Sequence, residues 1–171
     1  MTNNDRLNFY IIKDEYIEYI SQYDNHIAYN KGNKRPYIGI VLFIEQYLYF
    51  APMFSPKPQH SKYKDNLSFF RMFGDKEKTD YLGLIRFADM IPVPTSEILQ
   101  LNPKNNKSDY NMLLIKQYNY INKNENRDII RKRAKELHEI VINGKKSKTT
   151  NFYRNLCCNF KILQEKSLLY K

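Results

Sequence analysis

Two β-rich runs, Pro36 to Ile44 and Tyr47 to Ala51, are separated only by Glu45-Gln46. A gap that short leaves two extended runs one economical arrangement, an antiparallel hairpin, and it anchors everything read around it. The turn lacks Gly or Asn, so its type is not set by the sequence. The second run, Tyr47-Leu-Tyr-Phe-Ala-Pro-Met-Phe, leads directly into Ser55-Pro56-Lys57-Pro58-Gln-His60. Prolines on both sides of Lys57 restrict the backbone and remove two N–H donors, which makes the loop stiff. Stiff polar loops at strand ends are where scaffolds place chemistry, yet they also serve as plain solvated connections. From these residues alone both readings stand.

Around this hairpin the order of elements predicts an α+β fold with a largely antiparallel sheet. Leu7 to Ile12 reads as a first strand, and Asp14 is expected to cap a short helix with Tyr16, Ile17, Ile20 and Tyr23 on one face. A polar loop over 24–35 follows. Phe69 to Phe73 and Leu82 to Phe87 are further strands around a turn at Gly74 to Asp80, and Met90 to Pro94 is a short extended piece. Beyond Pro103 the period becomes helical. Asp109 is expected to cap a run carrying Leu113, Leu114, Tyr118 and Ile121; Ile130, Ala134, Leu137 and Val141 mark a second helix ended by Asn143-Gly144; a last helix runs through Phe152, Leu156, Phe160 and Leu163. With 171 residues and 42% apolar content, residues 1–171 are expected to form a single domain with its own core.

Several classes are disfavoured. No apolar run is long enough to cross a bilayer, and the first residues lack the order of a signal peptide, so a cytoplasmic location is expected. Cys157 and Cys158 are adjacent and are read as reduced. No carboxylate set suited to magnesium, phosphate-binding Gly-rich loop, Gly-x-Ser-x-Gly elbow or metal-spaced His pair is present, so neither a metal nor another cofactor is expected. The net charge of +10 accompanies 15 Tyr and 10 Phe without Trp. Positive charge attracts any polyanion, and aromatic rings interleaved with cations offer stacking surfaces for unpaired bases. Many of those rings fill the core, and Lys, Asn and Ile richness is also what an AT-rich genome imposes.

A basic protein with scattered hydroxyls and cations suits one reaction well. RNA is cut without metal when its own 2′-hydroxyl attacks the adjacent phosphorus; the enzyme aligns that attack, stabilises the phosphoryl oxygens and manages two proton transfers. Lys57, Arg35 and Lys31 are candidate charge stabilisers. Ser55 is better suited to positioning the phosphate or the 2′-hydroxyl than to abstracting a proton. His60 has the intrinsic pKa of an acid or base, and equally reads as an ordinary surface histidine. Tyr16 reads either as a hydroxyl that orients a base or phosphate, or as a core aromatic. Arg127, Arg131, Lys132 and Lys135, with Lys145, Lys146 and Lys148 in the following loop, form a candidate RNA-binding surface; Arg127, Arg131 and Lys135 fall four apart on one helical face. A non-catalytic single-stranded RNA-binding module uses the same features, and a membrane-surface protein ranks last for want of an amphipathic anchor.

The pieces Phe9 to Ile12, Tyr16 to Ile20, Arg35 to Leu42, Tyr49 to Lys57 with His60, Leu82 to Ile85, Asp89 to Val93, Lys116-Gln117, Cys158 to Phe160 and Leu163 to Lys166 occur in order over nearly the whole chain. In this combination the chain resembles the ToxN/AbiQ family, the endoribonuclease toxins of type III toxin–antitoxin and phage abortive-infection systems. The resemblance implies a compact, strongly twisted sheet flanked by helices, distantly similar to MazF/Kid toxins. It implies metal-independent, sequence-selective cleavage of A-rich mRNA and antitoxin precursor, leaving 2′,3′-cyclic phosphate and 5′-hydroxyl ends. It also implies inhibition by a small repetitive RNA of pseudoknot repeats, assembled with the toxin into a closed ring. Family roles carry onto Ser55 and Lys57, onto Tyr16 by its place in the first helix, onto Arg35 before the Ile-Gly-Ile-Val strand, and least directly onto Lys31. Phe54 departs from the pattern, since a small hydroxyl residue often precedes the serine, and Arg35 in place of lysine is a lesser departure.

Overall fold

The computed structural model describes residues 6–27, 38–103 and 108–171. The predicted hairpin is its centre: β2 (Ile38–Ile44) pairs antiparallel with β3 (Tyr47–Phe54), Ile44 opposite Tyr47. The two-residue turn closes without glycine because Glu45 itself takes a positive φ of 54°. Period-two patterning holds along β2, where Ile40, Leu42 and Ile44 are buried and Phe43 stands 73% exposed. β3 is central. It pairs with β2, with β5 (Tyr81–Arg86) and with the short β6 (Ile91–Pro92), and Tyr49, Phe50, Ala51 and Pro52 are buried in sequence as befits a strand covered on both faces.

The seven-stranded sheet runs β4-β5-β3-β2-β1-β7, with β4 at Phe69–Phe73, β1 at Phe9–Ile12 and β7 at Ile98–Leu101; β6 lies off this path against β3. Every pairing assigned among the described residues is antiparallel. No sequence pattern marks β7, because Ile98-Leu-Gln-Leu101 is short and adjoins a proline segment, yet it pairs with β1 over four residues. Helix α2 (Asp109–Ile121) packs on β4 and β5, α3 (Asn124–Asn143) on β2, and α5 (Phe160–Leu169) on β6. Gln117 of α2 donates its amide to the Leu82 carbonyl at 2.6 Å, and Asn122 bonds both backbone groups of Leu7 at 2.9 Å, so α2 is tied to the sheet and to the start of β1.

Helix boundaries depart from the sequence expectation in three places. Helix α1 (Asp14–Ile20) starts after Lys13, with Asp14 inside its first turn rather than capping it; there the carboxylate faces the positive end of the helix dipole. For α2 the cap is Ser108, whose hydroxyl accepts from the Asn111 N–H at 3.2 Å, not Asp109. The expected last helix is two: α4 (Lys148–Leu156) and α5 are separated at Cys157–Asn159. The break is stabilised from outside the helices, since the Cys158 N–H bonds the Ala88 carbonyl at 2.9 Å and the Asn159 side chain caps α5. Both cysteines are free and buried.

One apolar cluster spans strands and helices, and a polar network sits within it. The Tyr49 hydroxyl accepts from the Gln164 amide at 2.9 Å and lies 3.2 Å from His138 Nε2, whose ring stacks on Phe160. Burial holds the His138 pKa below the usual histidine value, so this imidazole is neutral at neutral pH. Among the described residues no helix is long and apolar enough to cross a membrane.

Candidate active site

The Ser55 loop leaves the sheet where β3 stops pairing, with Phe54 opposite Leu84 of β5. Gly83 makes that exit possible. Its φ is +107°, and a Cβ there would drive into the Phe54 carbonyl and crowd the Pro56 nitrogen at 3.3 Å. Opposite Gly83 the β4–β5 ladder slips at Met72/Phe73, so that Phe73 faces Tyr81, ring centroids 5.6 Å apart. Ser55, Pro56, Lys57, Pro58 and Gln59 are all exposed. Lys57 is extended (φ −138°, ψ 144°), and the chain then folds into a 3₁₀ turn, Pro58–Lys62, in which the His60 N–H bonds the Lys57 carbonyl at 3.0 Å.

Arg71 locks this turn onto β4. One guanidinium nitrogen donates to the carbonyls of both His60, at 3.0 Å, and Tyr63. His60, only 4% exposed, lies beneath the loop with Nδ1 2.9 Å from the Tyr81 hydroxyl. Burial, and then the charges of Lys57, Arg71 and Arg86, hold the His60 pKa below its ordinary value, while burial pushes the Tyr81 phenol up to about 12. The pair is therefore neutral at neutral pH, and it holds the turn from below.

Between this turn and the β4–β5 hairpin lies a groove of about 710 Å³, whose walls include Lys57, Tyr63, Arg71, Phe73, Lys78 and Tyr81. The hairpin wall is rigid. Asp75 accepts from the Thr79 N–H at 2.8 Å, the Asp80 N–H at 3.1 Å and the Thr79 hydroxyl, and Lys116 of α2 pairs with Asp80 at 2.9 Å. This turn holds Lys78 at a φ of +60°, with its ammonium 5.9 Å from the Phe73 ring centroid.

Of the residues expected to act, Ser55 and Lys57 come together on one exposed edge, and His60 lies directly below, buried rather than superficial. Tyr16 does not join them. It is fully buried in the core, its hydroxyl donates to the Pro92 carbonyl at 2.6 Å, and burial raises its pKa, so it is a structural phenol out of reach of a substrate. Lys31 and Arg35 lie outside the described residues. Lys132, Lys135, Lys145 and Lys146 are exposed on α3 and the following segment, Arg127 and Arg131 are half-buried on α3, and Lys148 opens α4, not a loop, behind the Ser147 cap. Among the described residues no group of three or more His, Cys, Asp or Glu is placed to hold a metal ion.

Sequence reading passed over Arg71, Lys78, Tyr63, Tyr81 and Gly83. Two of these carried a signal: a lone cation inside Phe69-Phe-Arg-Met-Phe73 needs a partner, and a lone glycine inside Tyr81-Leu-Gly-Leu-Ile85 marks a bulge or close approach.

Comparison with known proteins gives one consistent picture. Residues 8–167 match the model of the family described as toxin ToxN, type III toxin–antitoxin system. The chain is 33% identical to endoribonuclease ToxN of Pectobacterium atrosepticum over 94% of its own length and 91% of that protein. A solved structure concerned with selective toxin inhibition by a non-coding RNA pseudoknot in bacterial type III systems superposes with a TM-score of 0.84 at 25% identity, covering 96% of this chain and 98% of that one. Another, from work on a processed non-coding RNA that regulates a bacterial antiviral system, gives a TM-score of 0.80 at 31% identity, covering 95% and 98%.

Proposed function

The chain belongs to the ToxN toxin family of type III toxin–antitoxin systems, and on that premise we propose that it is a metal-independent, sequence-selective endoribonuclease acting from the Ser55–Lys57 edge. The observation that carries the proposal is the joint exposure of Ser55 and Lys57 on a stiff loop whose neighbouring groove is walled by cations and aromatic rings. In this reading the Lys57 ammonium stabilises charge that builds on the phosphoryl oxygens as the substrate's 2′-hydroxyl attacks, and the Ser55 hydroxyl positions the phosphate or that hydroxyl. Arg35 is assigned a second cationic contact and Lys31 a supporting one. His60 supports the loop from below through Tyr81 and its own backbone instead of exchanging protons with RNA, because its ring is enclosed. The products are a 2′,3′-cyclic phosphate and a 5′-hydroxyl.

The likeness to one structure concerned with toxin inhibition by a non-coding RNA pseudoknot, and to another concerned with a regulatory non-coding RNA, supports an RNA partner here; in this reading it is a repetitive antitoxin RNA of pseudoknot repeats that fills the groove and joins the toxin in a closed ring. The basic face of α3 and residues 145–148 extends that contact along the phosphate backbone. The setting is the cytoplasm during phage infection, with A-rich mRNA and the antitoxin precursor as substrates.

Incubation of the purified protein with A-rich RNA in excess EDTA tests the activity. Continued cleavage with cyclic-phosphate ends, blocked by a single 2′-deoxy substitution at the cut site, is the expected result. Intact but mobility-shifted RNA would instead identify a non-catalytic RNA-binding module. Induced expression of the wild type should arrest growth, whereas Ser55→Ala or Lys57→Ala should not; full toxicity of both variants would overturn the site assignment.

A further inference from the structure

Tyr63 is a wall shared by two grooves. On one side is the 710 Å³ groove beside Lys57, with Phe73 and Tyr81. On the other is a smaller one of about 290 Å³, walled by Tyr63, Phe69 and Phe152 and edged by Lys64 and Arg86. Phe152 is the outward aromatic of α4, 52% exposed, with its ring edge-on to the buried Tyr153 at 5.1 Å. The Tyr63 ring is backed by His60 at 5.5 Å and by Phe69 at 5.8 Å, and Arg71 fixes its backbone carbonyl. A partly exposed ring supported this firmly does not collapse into either groove.

Both grooves combine aromatic walls with cations at their edges. A flat ring faces a nucleobase well, and a cation beside it meets the phosphate that the base carries. We propose that the two grooves hold two unpaired nucleobases of one RNA strand, separated by the Tyr63 ring, so that the strand runs from Lys57 past Tyr63 to Phe152. This rests on the ribonuclease reading of the Ser55–Lys57 edge, which sets the scissile phosphate beside the first groove. Both bases then lie on the same side of the cut, and α4 becomes part of the substrate surface.

An abasic scan of a short RNA substrate tests the track. Two positions on one side of the cut should be sensitive, each lowering kcat/KM about tenfold, within the range expected for loss of one base–aromatic stack. In Phe152→Ala the penalty at the outer position should vanish while the inner one persists. In Tyr63→Ala both should shrink, and Tyr63→Phe should keep both. Tyr63 and Phe152 are exposed enough that an unchanged melting temperature will certify folding. Persistence of the outer penalty in Phe152→Ala, or sensitive positions on opposite sides of the cut, would overturn the track. Cleavage with no abasic penalty would do the same while leaving the ribonuclease reading intact. Should the protein cut nothing yet bind a 2′-O-methyl oligonucleotide with an affinity that depends on Tyr63 and Phe152, the ribonuclease reading falls and the track stands.

Discussion

Among the described residues, the groove and helix α3 both carry positive charge, and they are built differently. In the groove, Lys57 is set between prolines, Arg71 is bound to two carbonyls, and Lys78 is held by a turn in the left-handed region. On α3, Lys132 and Lys135 project from an exposed helical face, and Lys145 and Lys146 from the segment after it. Arg133 on the same helix is structural: it pairs with Asp65 at 2.9 Å and bonds the Asn66 and Phe69 carbonyls. The helix therefore supplies long, rotamer-rich cations that any polyanion can meet, whereas in the groove the Arg71 guanidinium and the backbones of Lys57 and Lys78 are held in place. Orientation, more than the number of charges, separates a surface that attracts RNA from one that can act on a particular phosphate.

The largest expected consequence follows from Lys57. Lys57→Ala should lower kcat/KM for RNA cleavage by about 10²- to 10³-fold, the usual loss when one directed charge stabiliser is removed. Its side chain is exposed, so the melting temperature should hold. The double variant Lys132→Gln/Lys135→Gln should cost only a few-fold, mainly in KM. Equal losses from the two would erase the distinction between directed and diffuse charge.

Arg71→Met comes next. It preserves bulk but removes the donors to His60 and Tyr63. Bonds from a charged donor contribute about 1.5–3 kcal/mol each, and partial exposure discounts that, so thermal or urea unfolding should show a loss of about 2 kcal/mol. Cleavage should fall by roughly tenfold because the loop that aims Lys57 is no longer clamped. A stability loss with unchanged cleavage would show that the clamp serves only the fold. A smaller effect separates the regions by salt: each α3 lysine removed should flatten the slope of log affinity against log salt for single-stranded RNA by roughly 0.7, measured by titration.

The hairpin at Glu45-Gln46 was legible because two apolar β-rich runs so close together leave one pairing, and the helical stripes of α2 and α3 were legible from their period. The split between α4 and α5 was not, because it depends on a bond from Cys158 to Ala88, some seventy residues away in sequence. The same holds at the site. Ser55 and Lys57 stand out in sequence because their chemistry is local to one proline-braced loop. Arg71, Lys78 and Tyr81 acquire meaning only once the β4–β5 hairpin folds beside that loop, and no local pattern announces such proximity. Tyr16 illustrates the converse: helix position suggested a role, and packing against Pro92 gave it a different one.

The smallest effect is also the most direct probe of how the groove cations are aimed. His60 and His138 are both enclosed imidazoles next to a tyrosine hydroxyl, and both titrate below the ordinary histidine value, chiefly through burial. Lys57 and Arg71 add to the depression at His60, whereas Glu45 and Glu139 oppose it at His138. Lys57→Gln removes a positive charge that disfavours imidazolium, so the His60 pKa should rise while that of His138 stays, as read from the histidine ring resonances in an NMR titration. The linkage has a definite sign. With the folded pKa below the unfolded one, the unfolded chain takes up protons first, and stability is lost as pH falls through about 6.5. Raising the His60 pKa narrows that gap, so Lys57→Gln should lose less stability than the wild type between pH 7 and pH 5. An unmoved His60 resonance would mean that the ammonium is directed away from the groove floor, and Lys57 would then belong with the diffuse cations of α3.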